Sequence, residues 1–494
     1  MIPPLFALFA WPVIAVAFFR KLTLPVAVAV TIVGGYLLLP TRFYVNLPLL
    51  PTLDKHSIPA IAAITLALAF AARGRGLQGL LPRSVLPLAL IAILIGSSLL
   101  TVLTNGDVIR IGGTTLPGMR VYDGFSAMLG AGIAILPLLV ARKFLGEQAG
   151  QRVLLTVLAF GALAYSALIL IELRMSPQMN NWVYGFFPHG WSQHVRASGY
   201  RPLVFLQHGL RLSIFLAAAT LAAAALSRSA AADRAKLLAL AGWLLLMVFA
   251  SKSLGALLIT LVLLPVVLFL GVRMQMLIAA ILGVIILAYP MARASGLIPV
   301  ERLQAAIAEY SPDRAASFGT RLENEEALLD KAAQRPLFGW GGWGRSRILD
   351  ERGNDVTIAD GYWIIAFGVG GWARYLSEFG LLVVPIVLLF LRSRKRPVSR
   401  ETAGLSLIMI ANLVDMIPNS SMTPITWLVA GALWGRVECL AADRDDTVPD
   451  TDATPTPTRD RPASAGLSPA PDRRKTPYTR QTTLKTRHGG RPAR

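Results

Sequence analysis

At 494 residues, with 54% hydrophobic and 15% charged residues, the chain is too apolar for an ordinary soluble domain. Its mean hydropathy of +0.56 arises from repeated apolar runs, each about as long as a helix that crosses a bilayer. The single cysteine, Cys439, excludes a disulfide framework and a cysteine-based metal site. The formal net charge of +20 would suit nucleic acid, but its distribution along the chain argues against that partner.

The apolar runs predict an all-α, polytopic membrane protein of about 13 transmembrane helices. In chain order they lie at about 2–19, 22–39, 57–72, 84–103, 121–141, 153–173, 204–226, 235–250, 253–270, 272–290, 374–391, 402–417 and 423–441. Basic residues gather in alternate loops, from Arg20 and Lys21 to the cluster at 392–400. This alternation follows the positive-inside rule and predicts that those loops, and the C-terminus, are cytoplasmic.

This topology divides the chain into four regions. They are residues 1–290, with spans 1–10 and outer loops at 104–120 and 174–203; a large, partly helical extracytoplasmic loop at 291–361; spans 11–13 at 362–441; and a basic tail at 442–494. Pro312 is expected to divide the helical part of the large loop into two helices. The tail is predicted to be disordered and attracted to anionic membrane lipids.

Charged and titratable residues occur where apolar residues are expected. His208 and Arg211 share one face of the seventh span, Lys252 lies in a very short connection, and Asp415 lies near the end of the twelfth span. Ion pairing of Asp415 with Arg211 or Lys252 would explain one acid and one base. Such pairing would leave at least two cationic groups unpaired, with Arg201 beside them. This excess of positive charge favours an anionic ligand. A lipid-linked diphosphate suits the forked guanidinium of arginine and the point charge of lysine.

Three segments resemble the O-antigen ligase and polysaccharide polymerase (Wzy-like) superfamily of integral membrane proteins, and a fourth fits the spacing of a further motif. "RASGYRPLVFLQHGLRLSIFL" (196–216) resembles the arginine-containing segment that leads into a mid-chain span. "SKSLGALLI" (251–259) resembles an "SxSRGA" helix start with Lys252 in place of arginine, and "TRLENEEALLDKAAQRPLFGWGGWG" (320–344) resembles the signature of the large loop. "DGYWIIAFGVGG" (360–371) fits the spacing of a His-Asn motif, with Asp360 where histidine is commoner.

The resemblance implies an inverting membrane glycosyltransferase that moves a glycan from an undecaprenyl-diphosphate-linked oligosaccharide to an acceptor hydroxyl. It also implies the bacterial cytoplasmic (inner) membrane, an active site facing the periplasm, and no metal, nucleotide sugar or other cofactor. Polymerisation of an exopolysaccharide or O-antigen repeat unit is the leading interpretation, with a chain-length regulator as a further candidate partner. The alternatives are an O-antigen or protein ligase whose acceptor is lipid A-core or a protein, and a transporter or flippase for the lipid-linked glycan. A non-catalytic membrane scaffold is disfavoured, because charge within a bilayer is costly to keep without a role.

The resemblance and the charges together select candidate site residues. Asp360 is the first candidate for the base that takes the acceptor proton, and His208 is the second. Capping of the helix that begins at Tyr362 is an equal alternative for Asp360, and both roles could hold. The candidates for binding the donor diphosphate are Arg201, Arg211, Lys252 and Arg321. An i,i+4 salt bridge with Glu325 is the alternative for Arg321.

The stretch "FGWGGWGRSR" (338–347) holds four glycines and two tryptophans in ten residues. It lacks the Gly-Lys-Ser/Thr ending of a P-loop, so nucleotide binding is poorly supported. We predict that it is the hinge of an active-site loop, with Arg345 and Arg347 near lipid headgroups. The candidate glycan contacts are Gly339, Gly341, Gly344, Trp340, Trp343 and Tyr362. Anchoring at the membrane interface is an equal alternative for the two tryptophans.

Overall fold

The structure, a computed structural model, describes residues 1–46, 50–71, 76–77, 79–196, 199–297, 304–305, 308–309 and 312–445. All of them belong to one compact unit, Met1–Asp446. The tail predicted at 442–494 lies outside the described residues beyond residue 445, and so does most of the helix predicted before Pro312.

Helices dominate the described part of the chain. They are α1 Pro4–Lys21, α2 Leu24–Leu38, α3 Ser57–Phe70, α4 Val85–Leu103, α5 Val121–Ala134, α6 Leu136–Phe144, α7 Gln148–Met175, α8 Met179–Tyr184, α9 Gly209–Ser229, α10 Arg234–Ala250, α11 Leu254–Phe269, α12 Val272–Ala294, α13 Pro312–Ala333, α14 Tyr362–Arg392, α15 Arg400–Asp415 and α16 Pro424–Asp445. A short 3-10 helix covers Trp191–His194.

Two small antiparallel hairpins lie in the predicted outer loops. Strand β1 (Ile109–Ile111) pairs with β2 (Thr114–Leu116), with Ile109 opposite Leu116. Strand β3 (Val195–Arg196) pairs with β4 (Gly199–Tyr200), with Val195 opposite Tyr200. The expected all-α class therefore holds for the bundle, and the two hairpins are additions to it.

Among the described residues, seven helical segments are long and apolar enough to cross a membrane, judged by length and composition. They are Pro4–Lys21, Val85–Leu103, Val121–Phe144, Gln148–Met175, Gly209–Ser229, Val272–Ala294 and Tyr362–Arg392. Three shorter apolar helices are α2, α3 and α11. The structure thus supports a polytopic helical protein, but the predicted number of 13 spans is not confirmed.

Helix α9 is the most enclosed of the seven long segments, with 89% of its apolar window buried. It packs against α7, α10, α11 and α15. Alanines fill much of its length, including Ala217–Ala219 and Ala222–Ala225, and small side chains let neighbouring helices approach closely. The central position of α9 fixes its first turn, which carries Arg211.

Helix α14 is broken at Gly371, whose backbone φ of 64° lies in the left-handed region. The segment 336–341 lies across the break. Trp340 and Gly341 donate their backbone N–H to the carbonyls of Gly368 and Val369, at 2.9 Å each. In return, the N–H groups after the break, on Trp372 and Ala373, donate to the carbonyls of Pro336 and Leu337.

The glycines of this segment are explained by the contact. A Cβ at Gly339 would lie 2.5 Å from the carbonyl carbon of Val369, and one at Gly371 would lie 2.4 Å from that of Leu337. No side chain fits at such distances, so glycine is required on both sides. We call residues 336–345 together with the break at Gly371 the backbone clasp.

The clasp also holds the 104–120 loop. Arg345 is fully buried and donates to the carbonyls of Asp107 and Pro117, at 2.9 and 3.0 Å. Hydrogen bonds from Arg335 hold the pKa of the Asp107 carboxyl below its usual value. Arg347 pairs with Asp355. The expectation that Arg345 and Arg347 meet headgroups is therefore wrong for Arg345, which is enclosed, while Arg347 already has a carboxylate partner.

Replacing Arg345 with alanine should destabilise the protein. Arg345→Ala removes the donor to two carbonyls, and hydrogen bonds from a charged group contribute about 1.5–3 kcal/mol. The unfolding temperature of the purified protein in detergent should fall clearly. Arg352→Ala, which removes an exposed arginine from the same segment, should leave it nearly unchanged. Equal unfolding temperatures for the two variants would contradict the structural role of Arg345.

Candidate active site

Arg211 lies in the first turn of α9, where two cavities meet. Its side chain is half-buried, and its guanidinium reaches the carbonyl of Ser420 at 3.4 Å. Within the part of the chain that the structure describes, Arg211 forms no ion pair with a carboxylate. An arginine in this position can bind an anion that comes from outside the chain.

The first cavity, of about 280 Å³, is polar. Asp360, His208 and Arg211 all line it, together with His189, Gln193 and Gln207. The structure thus brings both candidate bases and one candidate donor-binding cation to a single cavity. We call it the polar cavity.

The second cavity, of about 430 Å³, has a mostly apolar lining and is called the apolar cavity below. Arg211 and Gln207 line both the apolar cavity and the polar cavity. Its other walls include Ile133, Pro137 and Trp427. The two cavities therefore adjoin each other at Arg211.

Asp360 precedes α14 and forms an ion pair with Arg321, with 3.4 Å between a carboxylate oxygen and Nε. The N-cap of α14 is Gly361, and no side chain caps this helix. The capping alternative for Asp360 is therefore not observed. The alternative pairing of Arg321 with Glu325 is not observed either, because Glu325 pairs with Arg293 on α12 at 3.4 Å.

Arg201 and Lys252 are joined to each other. The buried Arg201 donates from Nη2 to the backbone carbonyl of Lys252 at 2.8 Å. Lys252 adopts a backbone φ of 55°, and its Nζ lies 3.0 Å from the place of a Cβ on Gly199. Neither residue lines the polar or the apolar cavity.

Asp415, at the end of α15, is buried and accepts a hydrogen bond from Nδ2 of Asn419 at 2.9 Å. Among the described residues it has no ion pair, so the expected pairing with Arg211 or Lys252 is absent there. Asn419 itself lines the polar cavity. The acid thus orients a wall residue of that cavity.

Comparison with known families gives one match. Residues 239–366 match the family model described as O-antigen ligase (Wzy_C). This segment of the chain is similar to the O-antigen ligase family. The match confirms the resemblance, and members of this family are membrane glycosyltransferase-like enzymes. None of the curated proteins compared with the chain matches it significantly.

The O-antigen ligase match includes Lys252, Arg321 and Asp360, whereas Arg211 and His208 lie before it in the chain. The polar cavity therefore joins a residue of the matched segment, Asp360, to the start of α9.

The predicted glycan-contact residues, all within the matched segment, lie elsewhere. Trp340 is flanked by Lys331 and Arg335 and donates from Nε1 to the carbonyl of Lys331 at 2.7 Å. The hydroxyl of Tyr362 donates to Glu378, and Trp343 is exposed. Gly339, Gly341 and Gly344 all have positive φ, as turns of the clasp require. None of these six residues lines the polar or the apolar cavity.

Sequence reasoning missed Lys55, which precedes α3. Lys55 is 4% exposed, donates to the carbonyl of Phe205 at 3.0 Å and lies over the ring of Tyr36. Burial, and then the positive charge of Arg211, lower the pKa of the Lys55 amine to about 7. Its neighbours Asp54 and His56 line the apolar cavity. The signal that the sequence offered for this site was three successive titratable residues, Asp54, Lys55 and His56, between two apolar runs.

The segment before Arg211 is fixed by the buried carboxylate of Glu172 on α7. It accepts the N–H groups of Met179, Leu203 and Val204, at 3.0, 2.8 and 2.8 Å. Phe205 donates its N–H to the hydroxyl of Tyr165. These bonds satisfy the irregular backbone that leads to α9, and so they position Arg211.

Glu172→Gln should therefore weaken the fold at the entrance to α9. The amide offers one acceptor oxygen in place of two, so at least one buried N–H loses its partner, at a cost of about 1–3 kcal/mol. The unfolding temperature in detergent should fall. Glu147→Gln, at the exposed opposite end of the same helix, is the matched control. Identical unfolding of the two variants would show that Glu172 does not hold this segment.

Proposed function

We propose that the protein transfers a glycan from an undecaprenyl-diphosphate-linked oligosaccharide to an acceptor hydroxyl, on the periplasmic side of the bacterial inner membrane. We further propose that it polymerises the repeat units of an exopolysaccharide or O-antigen. The observation that carries the proposal is Arg211, which has no ion pair among the described residues and lies between an apolar and a polar cavity.

The order of the cavities fits the order of parts in such a donor. A polyprenyl diphosphate sugar is apolar at one end, doubly anionic in the middle and polar at the other end. The prenyl chain would lie in the apolar cavity, the diphosphate at Arg211 and the sugars in the polar cavity. The positive charge of Arg211 lowers the pKa of the Lys55 amine. A bound diphosphate would raise that pKa and favour the charged form of Lys55.

The transfer needs one displacement. The acceptor oxygen bonds to the anomeric carbon, the bond from that carbon to the diphosphate oxygen breaks, and the electron pair leaves with the diphosphate. Arg211 stabilises the charge that develops on the leaving group. Attack from the face opposite the diphosphate inverts the anomeric configuration.

Asp360 accepts the proton of the attacking hydroxyl in this scheme. It lines the same cavity as Arg211, and its carboxylate is oriented by Arg321. Histidine is commoner at the position of Asp360 in the family that the chain resembles. A carboxylate can serve as a general base equally well on chemical grounds. His208 is the second candidate because it lines the cavity too.

A ligase is the second candidate function, because the matching family is described as O-antigen ligase. Polymerase and ligase share the donor and differ in the acceptor. Purified protein in nanodiscs, given one synthetic donor, distinguishes them: a ladder of longer lipid-linked glycans indicates a polymerase, and glycan on added lipid A-core indicates a ligase.

Arg211→Ala should lower the transfer rate by about 100- to 1,000-fold, the range for loss of one group that stabilises developing negative charge. Arg211→Lys keeps the charge but loses the forked geometry, so it should recover only part of the rate. Arg110→Ala, which removes an exposed arginine of strand β1, is the control. Wild-type transfer by Arg211→Ala, with equal protein levels, would exclude the diphosphate assignment.

Asp360→Asn should lower transfer by at least about 100-fold, because general-base catalysis contributes about 100- to 10,000-fold. The substitution also breaks the pair with Arg321, so Arg321→Gln is the comparison variant. A smaller loss in Arg321→Gln is expected, and equal losses would assign Asp360 a positioning role instead. If Asp360→Asn is fully active and His208→Asn is inactive, His208 is the base.

A further inference from the structure

Three histidines gather beside the polar cavity. His189, His194 and His208 each offer one ring nitrogen, and these nitrogens lie within 4.8 Å of one another. The ring centroids are 4.8 to 5.8 Å apart. His189 and His194 come from the segment between α8 and β3, and His208 is the N-cap of α9. The cluster therefore joins two separate parts of the chain.

The three rings lie in an enclosed place. His194 is fully buried, and His189 and His208 are half-buried. The Nδ1 atom of His189 is buried and has no hydrogen-bond partner among the described residues. Neutral imidazole nitrogen is the ligand that Zn²⁺ and similar transition metals prefer, and three histidines form a known type of zinc site.

We propose that His189, His194 and His208 bind one divalent transition-metal ion of the zinc class. His189 and His208 also line the polar cavity, so a fourth ligand, water or a substrate oxygen, would reach the ion from there. The ion would tie the segment that carries His189 and His194 to the start of α9. This site goes beyond the proposed transfer and departs from the sequence expectation of no metal.

Binding requires two adjustments. Ligand nitrogens around a tetrahedral zinc ion are about 3.4 Å apart, so the most distant pair must approach by about 1.4 Å. The segment from His189 to His194 consists of an irregular stretch and a 3-10 turn, and it can move more easily than α9. The Nδ1 of His208 accepts the N–H of Leu210 at 3.0 Å. Coordination through Nε2 would leave the ring proton on Nδ1. That nitrogen could then no longer accept the N–H of Leu210, and water would take its place as the acceptor.

The positive charge nearby opposes the ion. Arg201 and Arg211 both act on His208 electrostatically. Asp360 on the wall of the same cavity offsets part of this repulsion, and a bound diphosphate would offset more.

The test uses the full-length protein, purified without a polyhistidine tag, stripped with chelator and titrated with Co²⁺ and then Zn²⁺. One equivalent of Co²⁺ per chain should bind, give the visible bands of a nitrogen-ligated tetrahedral ion, and be displaced by Zn²⁺. Zn²⁺ should also raise the unfolding temperature by mass action. Absence of stoichiometric binding to the wild-type protein overturns the proposal.

Matched variants locate the site. His189→Ala and His194→Ala should each lose the cobalt bands and the zinc-dependent rise in unfolding temperature. His56→Ala, beside the apolar cavity, and His488→Ala, in the tail, should keep both. His189 is half-buried, so its variant preserves the fold and remains informative if His194→Ala does not fold. Unchanged metal binding in His189→Ala would contradict the assignment, whatever the transfer activity of that variant.

Discussion

The close approach of two backbones at the break in α14 is the constraint on which the rest of the structure depends. Glycine at 371 breaks the helix and glycine at 339 lets the crossing segment reach it, so that four N–H groups find carbonyl partners. Unsatisfied backbone groups within an apolar bundle would each cost several kcal/mol, roughly, so this pairing cannot be omitted. Through Arg345 the clasp also holds the 104–120 loop. The first half of the broken helix begins directly after Asp360, and the clasp therefore fixes one wall of the polar cavity.

The charged residues of the bundle differ in whether they have an ion-pair partner among the described residues. Arg142 pairs with Glu438, and Arg374 with Glu378, both in contact with the bundle. Arg211 has no such partner among the described residues, although a charge at the centre of a bilayer costs about 2.5–3.5 kcal/mol on insertion scales. Its position between two cavities, and not its charge alone, supports the proposal that it binds the diphosphate of a lipid-linked donor. The match to the O-antigen ligase family supports that substrate class independently.

The sequence predicted the features that depend on local pattern. Apolar runs predicted the helical membrane bundle. Titratable residues within the spans indicated His208 and Arg211, the resemblance indicated Asp360, and these three residues share the polar cavity. Local sequence pattern did not predict the long-range contacts. "FGWGGWGRSR" was interpreted as a hinge, but its glycines serve a backbone contact with a helix that begins fifteen residues after Arg347. Lys55 was missed because Arg211, whose charge lowers the pKa of Lys55, is 156 positions away in sequence.

The central claim is that Arg211 binds the diphosphate of a lipid-linked glycan donor. Cryo-electron microscopy of the protein in nanodiscs with undecaprenyl diphosphate tests it most directly. The account predicts diphosphate density within hydrogen-bond distance of the Arg211 guanidinium, with the prenyl chain in the apolar cavity. Density for the diphosphate at another cation, such as Arg293 in the separate cavity between α12 and α13, with Arg211 unoccupied, would contradict it.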